Sequence, residues 1–436
     1  MKRIFSQYTL LLLMAAFLLP SCKKEYGNLN SPTVEEYLKN ATTDQLNGLV
    51  TGTLSGMRIA EGTYLDAISV IGREIYRFSN AEPRFTTELL GSGSTTLNNT
   101  SFYITNPWSA RYRAVKNCNV LIQAATNSSL LSAEQKKGYA GFAKTLKAYE
   151  LLLNLNLTYN NGIRVDVADP NKLGPILSYD AAIAAISALL DEAKTDLTGA
   201  TISYDLTSGF TGFSDAPGLI KFNRALAARV DIYQSKWDNA LTDLNSSFFN
   251  LSGDFNTGIS QQFGTGSGDQ LNSAFFPQNQ NGEVRVAQPL YASQMEPGDD
   301  RINKATLRAT PASSGGLSSD RDEWVYQSST APIPIIRNEE LILIYAEANI
   351  QSATPNFAKA IAAINTIRKG HNLSNYSGPS TAAALITEML NQRRYSLFYE
   401  GHRWIDMRRY NKLGLLPIDR ANDDVWIAMP VPATEF

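Results

Sequence analysis

The chain has 436 residues, with 39 Lys and Arg against 41 Asp and Glu, a formal charge of −2, and only 18% charged side chains. Such a balance gives nucleic acid no electrostatic footprint, and with Cys22 read below as a lipid anchor, two histidines and one spare thiol cannot supply a convincing tetrahedral zinc set. Length alone allows about three domains, but the helical segments carry one shared apolar pattern, so a single body is expected.

The N-terminus reads as an export signal. Lys2 and Arg3 form a positive start, Leu10 to Leu19 an apolar run too short to remain as a membrane helix, and Leu19-Pro20-Ser21-Cys22 a cleavage box. A cysteine directly after a small residue, followed by polar Lys23-Lys24-Glu25, makes this a lipoprotein box. Residues 1–21 are then removed and Cys22 carries the lipid. The alternative is an ordinary secretory signal with a chance cysteine. Residues 22–42 follow as a tether and N-terminal segment, and 43–436 as the body. With Cys22 acylated, Cys118 is a lone thiol, so no internal disulfide can form and its expected role is that of a small buried hydrophobe.

Helical periodicity then dominates. Thr43 to Met57 and Thr63 to Tyr76 read as helices, and Trp108, Tyr112, Val115, Asn119 and Ile122 form one stripe of a third. Ser132 with Gln135 makes a capping box for a helix through Phe142, Leu146, Tyr149 and Leu153. Asp180 to Leu197 places Ile183, Ile186, Leu190, Ala193 and Leu197 on one face. Lys221 to Phe249 and Asn338 to Lys369 resemble each other: each has a helix, a break, then an aromatic opening a second helix, Trp237 in one and Phe357 in the other. Thr354 is the expected cap of the latter, with Pro355 at its first position. This pattern suits an all-α, tetratricopeptide-like stack of helix pairs, and on periodicity alone a generic helical bundle fits equally.

Long segments rich in Gly, Ser, Asn and Gln interrupt the helices around 77–105, 203–220 and 251–334, longer than passive connectors need to be. Their aromatics can stack on sugar rings or apolar peptide side chains, with neighbouring amides and charges serving polar edges. The densest such combination runs from Tyr291 to Tyr326. Phe85, Tyr103, Tyr291, Trp324 and Tyr326 are therefore the candidate ligand-binding residues, Trp324 foremost because Asp320, Arg321, Asp322 and Glu323 precede it. The competing reading is that these rings pin the loops to the helices.

Catalytic patterns are weak. Asp299-Asp300, Asp423-Asp424 and Asp320-x-Asp322-Glu323 read as turns and caps, since adjacency in sequence does not set two carboxyls across a substrate. Gly264-x-Gly266-x-Gly268 lacks the flanking strand and helix of a phosphate cradle. Asp166-x-x-Asp169-x-Asn171 lacks an ordered calcium loop. No serine or cysteine has an evident histidine partner. The sequence calls for no enzyme activity, cofactor or metal.

The most charged apolar segment is Arg393 to Asn411, RRYSLFYEGHRWIDMRRYN. It reads as one helix capped by Ser380, or as two pieces bent at Gly401. Glu400, Arg403, Asp406 and Arg409 stand three apart and predict a salt-bridge lattice. A site made of Glu400, His402 and Asp406 would still need a nucleophile or further ligands.

This run resembles the C-terminal signature of the SusD/RagB family of nutrient-binding outer-membrane lipoproteins, matching it at Arg393, Arg394, Glu400 to Trp404, Asp406 and Arg408. Arg337 with Glu340 and Tyr345-Ala346-Glu347-Ala348 resembles a second landmark. Asp299-Asp300-Arg301, Trp108 with Tyr112-Arg113, and Ile427 to Pro432 resemble others. The resemblance implies a right-handed stack of helix pairs with binding insertions gathered on one side. It also implies a non-enzymatic, lipid-anchored cell-surface protein of the outer membrane that captures an oligosaccharide or peptide. The implied partner is a SusC-like TonB-dependent transporter. The competing functions are a surface glycan hydrolase and a helical scaffold that binds only protein.

Overall fold

A computed structural model describes residues 34–436; the signal segment, Cys22 and the first part of the tether lie outside the described residues. The helices are α1 (Val34–Asn40), α2 (Thr43–Met57), α3 (Glu61–Ile71), α4 (Phe102–Asn127), α5 (Ala133–Thr158), α6 (Tyr179–Leu197) and α7 (Ala216–Tyr233). They continue as α8 (Trp237–Ser246), α9 (Leu290–Ser293), α10 (Asn338–Gln351), α11 (Phe357–Gly370), α12 (Ala382–Ser396) and α13 (Arg403–Arg409). Successive members pack on one another: α2 on α4, α4 on α5, α5 on α6, α6 on α7, α7 on α8, and α10 on α8, α11 and α12. Close approach is built in at Gly141, where a Cβ would lie 2.6 Å from Leu197 Cγ and 2.8 Å from Ala193 O.

Local chemistry sets several ends. Thr42 with Gln45 and Ser132 with Gln135 form reciprocal capping boxes on α2 and α5. Two expected caps are displaced by one or two residues. Asn356 caps α11 through Lys359 N at 3.0 Å and leaves Pro355 outside the helix, while Thr381 rather than Ser380 caps α12. The helix expected to reach Tyr76 stops at Ile71. The chain reverses through Arg73, with φ 54°, into strand β1. The strand's partner lies some two hundred residues away, which local periodicity cannot show.

The fold is therefore not purely α-helical. Strands β1 (Ile75–Ser79), β5 (Glu283–Ala287), β7 (Leu317–Glu323) and β6 (Ala305–Ser314) form an antiparallel sheet in that order. Two short ribbons pair β2 (Ile163–Arg164) with β3 (Ile176–Leu177) and β4 (Gly258–Gln261) with β8 (Ile333–Arg337). Much of the stretch 251–334, expected to be irregular, is thus strand. Most of its pairs join residues distant in sequence, and only β6 and β7 form a hairpin.

One large apolar cluster runs through the body, and a smaller one around Ile342, Ile364 and Met389 joins α10 to α12. Cys118 is a fully buried free thiol, as expected, and burial raises its pKa. The last residues close the N-terminal half. Trp108 Nε1 donates to Glu435 Oε1 at 2.9 Å, Arg164 Nε to Glu435 Oε2 at 3.0 Å, Met429 N to Leu157 O at 2.8 Å, and Arg73 Nη2 to Asp424 O at 2.6 Å. Among the described residues no helix is long and apolar enough to cross a membrane.

Candidate functional site

The signature run is a packed polar core. It is not one helix: α12 ends at Ser396, and the chain turns through Tyr399 (φ 59°) and Gly401 (φ 80°) before α13. Of the pairs the three-residue spacing predicts, Asp406 with Arg409 forms, while Glu400 with Arg403 and Arg403 with Asp406 do not. Asp406 accepts Arg393 Nε at 2.6 Å and Arg409 Nη2 at 2.9 Å. Arg409 continues to Glu347 at 2.8 Å. Glu400 turns instead to Arg337 at the end of β8, with contacts of 2.8 and 3.1 Å. Arg403 makes no hydrogen bond or ion pair among the described residues, and burial lowers its pKa to about 10. Burial also pulls His402 down to about 4, so its imidazole is neutral at pH 7. Glu400 and His402 line one small cavity, which Asp406 does not, and the two carboxylates are bonded to different arginines, Arg337 and Arg393.

The redirected Glu400 opens a different view. It lies on the wall of an open cleft of about 530 Å³ at the meeting of β4, β8, the residues after β7, and the start of α10. Arg337 is the hub, reaching Glu400, Ser396 O at 2.7 Å and Glu339. Glu339 also receives His371 Nε2 at 2.7 Å, and His371 Nδ1 lies 2.7 Å from Asp300. Arg337 holds Glu339 well below the usual carboxylate range against the opposing effect of burial. Lys304 donates to Ser396 O at 2.5 Å and lies 3.9 Å from Glu400.

Trp324 is the residue immediately before the stretch Val325 to Gln327 that lines this cleft. It follows the last residue of β7, donates its backbone N–H to Lys304 O at 2.8 Å, and precedes Val325 of the cleft wall. The ring is half-buried and lies 6.1 Å from the half-buried Phe275 at 52°. Phe276 beside it is held between the guanidinium groups of Arg77 at 4.5 Å and Arg285 at 4.0 Å.

The other four candidate residues are inside. Tyr326 is 2% exposed, lies against Tyr399 at 5.8 Å, and contributes to the cleft floor. Tyr291 packs on Phe398 at 4.0 Å and donates its hydroxyl to Arg301 O. Tyr103 is fully buried, with its hydroxyl on Glu88 at 2.5 Å. Phe85 packs edge-on against Phe102 at 5.1 Å, with Arg77 above it. These rings pin loops to the body, and only Trp324 keeps an accessible face. Phe275, Asn256, Gln327 and His371 are not among the residues that sequence picks out as a site, and a Phe-Phe pair in a polar loop is the one signal that could have found any of them.

A direct expectation follows. Tyr291→Ala should destabilise the fold by about 3–5 kcal/mol as a large buried ring is removed, whereas Trp324→Ala should leave the melting temperature within a degree or so. Equal thermal losses for the two would place Trp324 in the core as well.

Residues 276–426 match the SusD family model. No curated protein matches the chain by sequence. In fold it is similar to a SusD superfamily protein from Parabacteroides distasonis, with 19% identity and a TM-score of 0.67 over 93% of this chain and 97% of that one. A SusD superfamily protein from Bacteroides vulgatus gives 16% identity and 0.69, over 90% and 96%. Surface glycan-binding protein A from Bacteroides uniformis gives 15% and 0.68, over 90% and 97%.

Proposed function

The chain belongs to the SusD family, and from that premise we propose that it is a non-enzymatic binding lipoprotein of the cell surface, which captures a glycan and delivers it to a SusC-like TonB-dependent outer-membrane transporter. The observation that carries the binding role is an open cleft walled by Val325, Tyr326 and Gln327, immediately preceded in the chain by the half-exposed ring of Trp324 beside Phe275. A flat ring face takes the C–H side of a sugar, and polar walls take its hydroxyls. Two proteins of similar fold, from Bacteroides uniformis and Bacteroides thetaiotaomicron, are surface glycan-binding proteins. The succession of packed helices is read as a tetratricopeptide-like stack that carries the insertions 77–105, 203–220 and 251–334.

Binding rather than hydrolysis is favoured by how the two carboxylates of the cleft wall are engaged. Glu400 and Glu339 share Arg337, and Glu339 also meets His371. A general acid must hold a proton near neutral pH, and a carboxyl held well below its usual range does not. The test is a glycan and peptide array, followed by calorimetry on the best ligand. Trp324→Ala should lose about 1–3 kcal/mol of binding, the scale of stacking on an aromatic face, at unchanged thermal stability. Equal affinity would remove Trp324 from the site; capture of peptides alone would make the ligand an oligopeptide; released sugars would make the protein a hydrolase.

Residues 1–21 are proposed as the cleaved signal, Cys22 as the lipidated residue and 22–42 as tether, giving attachment to the outer membrane without a spanning helix. Cys22→Ala should release the protein from the membrane fraction or leave its precursor uncleaved. Unchanged retention and processing would refute the anchor.

A further inference from the structure

We propose that the cleft beside Trp324 selects electrically neutral oligosaccharides and rejects uronate-bearing or sulfated ones; this rests on the glycan-binding role proposed above. An anionic sugar needs a cation able to turn toward it, and the cleft wall holds none. Of the five N–H donors of Arg337, four are committed: Nε and one Nη2 hydrogen to Glu400, the other Nη2 hydrogen to Ser396 O, and one Nη1 hydrogen to Glu339. Lys304 is turned into the protein, toward the carbonyls of Tyr395 and Ser396 and toward Glu400. Both ring nitrogens of His371 face carboxylates. Two lining cations are thus met by two lining anions, Glu339 and Glu400, and none of these groups has a buried polar atom without a partner.

What remains free on the wall is uncharged. The side-chain amides of Asn256 and Gln327 are exposed and make no hydrogen bond within the described residues. Each offers a carbonyl acceptor beside an N–H donor pair, matching neighbouring sugar hydroxyls that both donate and accept. Pro332 and the half-exposed Phe255 add apolar faces. An anionic group brought here would shed water and find only carboxylates and committed donors, so its desolvation would go uncompensated. Arg321, three residues before Trp324, has no carboxylate partner, but it donates to Ala305 O at 2.7 Å and is not part of the cleft wall.

The test is calorimetry of the purified protein against neutral oligosaccharides and their uronate-bearing and sulfated counterparts, at low and high salt. Neutral ligands are expected to bind, with affinity changing less than about twofold between 50 and 500 mM NaCl, since no ion pair forms across the interface. Gln327→Ala and Asn256→Ala should each weaken binding about tenfold, one to two hydrogen bonds' worth, with the thermal melt unchanged. Tighter binding of charged glycans, lost in high salt or in Arg321→Gln, would overturn the charge selection while leaving the glycan-binding role standing. Neutral binding that both amide variants leave intact would overturn the assignment to this cleft. Binding of no glycan of either kind would bring down the underlying role and the selection with it.

Discussion

Asp406→Ala is expected to cost on the order of 3–5 kcal/mol of folding free energy, the scale of breaking a buried ion pair by removing one partner. Asp406 is 2% exposed and holds Arg393 at 2.6 Å and Arg409 at 2.9 Å. Arg409 would keep Glu347, but Arg393 would keep no hydrogen-bond acceptor: it is 1% exposed, and both of its Nη atoms are already without partners. A guanidinium sealed in the body with no acceptor is the costly product. Glu400→Ala should cost less, because Arg337 retains Glu339 and Ser396 O. Arg403→Ala should cost least, on the order of 1 kcal/mol or below, since it breaks no hydrogen bond or ion pair. Urea unfolding of the three variants ranks them, and an Asp406→Ala loss no larger than that of Arg403→Ala would contradict the structure at its polar core.

Stability should peak near pH 5 and fall on both sides. On the acid side, Glu340 and Asp406 are each held down to about 2, against opposing burial, chiefly by Arg229 and by Arg393. Depressed acids contribute stability that is present above their unfolded values, near 4.5 and 3.8, and lost as pH falls toward 2. On the alkaline side, burial raises Glu150 and Glu323 to about 8 and Glu74 to about 7. Their contribution is complete below about 4.5 and is lost as pH rises through 7 and 8, because the unfolded chain ionises them while the fold resists. The geometry gives the reason. Glu150 must share Arg111 with Glu61, which takes the shorter contact at 2.9 Å, and one oxygen of Glu74 has no partner. A carboxyl that binds its proton tenfold more tightly in the fold than in the unfolded chain changes stability by about 1.4 kcal/mol, so even a third of the effect at these three glutamates is measurable. Unfolding free energies at pH 3, 5 and 8 decide it; equal values at pH 5 and 8 would mean that the three buried glutamates are ionised in the fold.

The helical ladder was legible in the sequence because it rests on local signals. The Ser132–Gln135 box and the stripe from Ile183 to Leu197 each specify their element within a few turns, and α2 spans Thr43 to Met57 as read. The sheet was not legible, since β1 finds its partner β5 only after the chain has run through the helices between them. The local ion pair of Asp406 with Arg409 was legible, and the others failed for the same reason as the sheet. Three-residue spacing proposed Glu400 with Arg403, but the turn at Gly401 breaks the helix between them and swings Glu400 toward Arg337, sixty-three residues earlier. Among the five candidate residues, only Trp324, picked out by its polar neighbours, keeps an accessible face. Loop aromatics as a class misled, because a Tyr with a hydroxyl partner such as Glu88 or Arg301 O buries as readily as a Phe.

The way the last residues seal the first half bears on how this molecule is made. Until Glu435 has left the ribosome, the indole N–H of Trp108 and the guanidinium of Arg164 lack their acceptor, and until Asp424 has left it, Arg73 lacks one of its own. Contacts that span 271 to 351 residues form late and slowly, because the loop they close is long. A nascent chain of this design stays unsealed until residues 424 to 435 have been made, and its tertiary structure is completed only once they reach the N-terminal half.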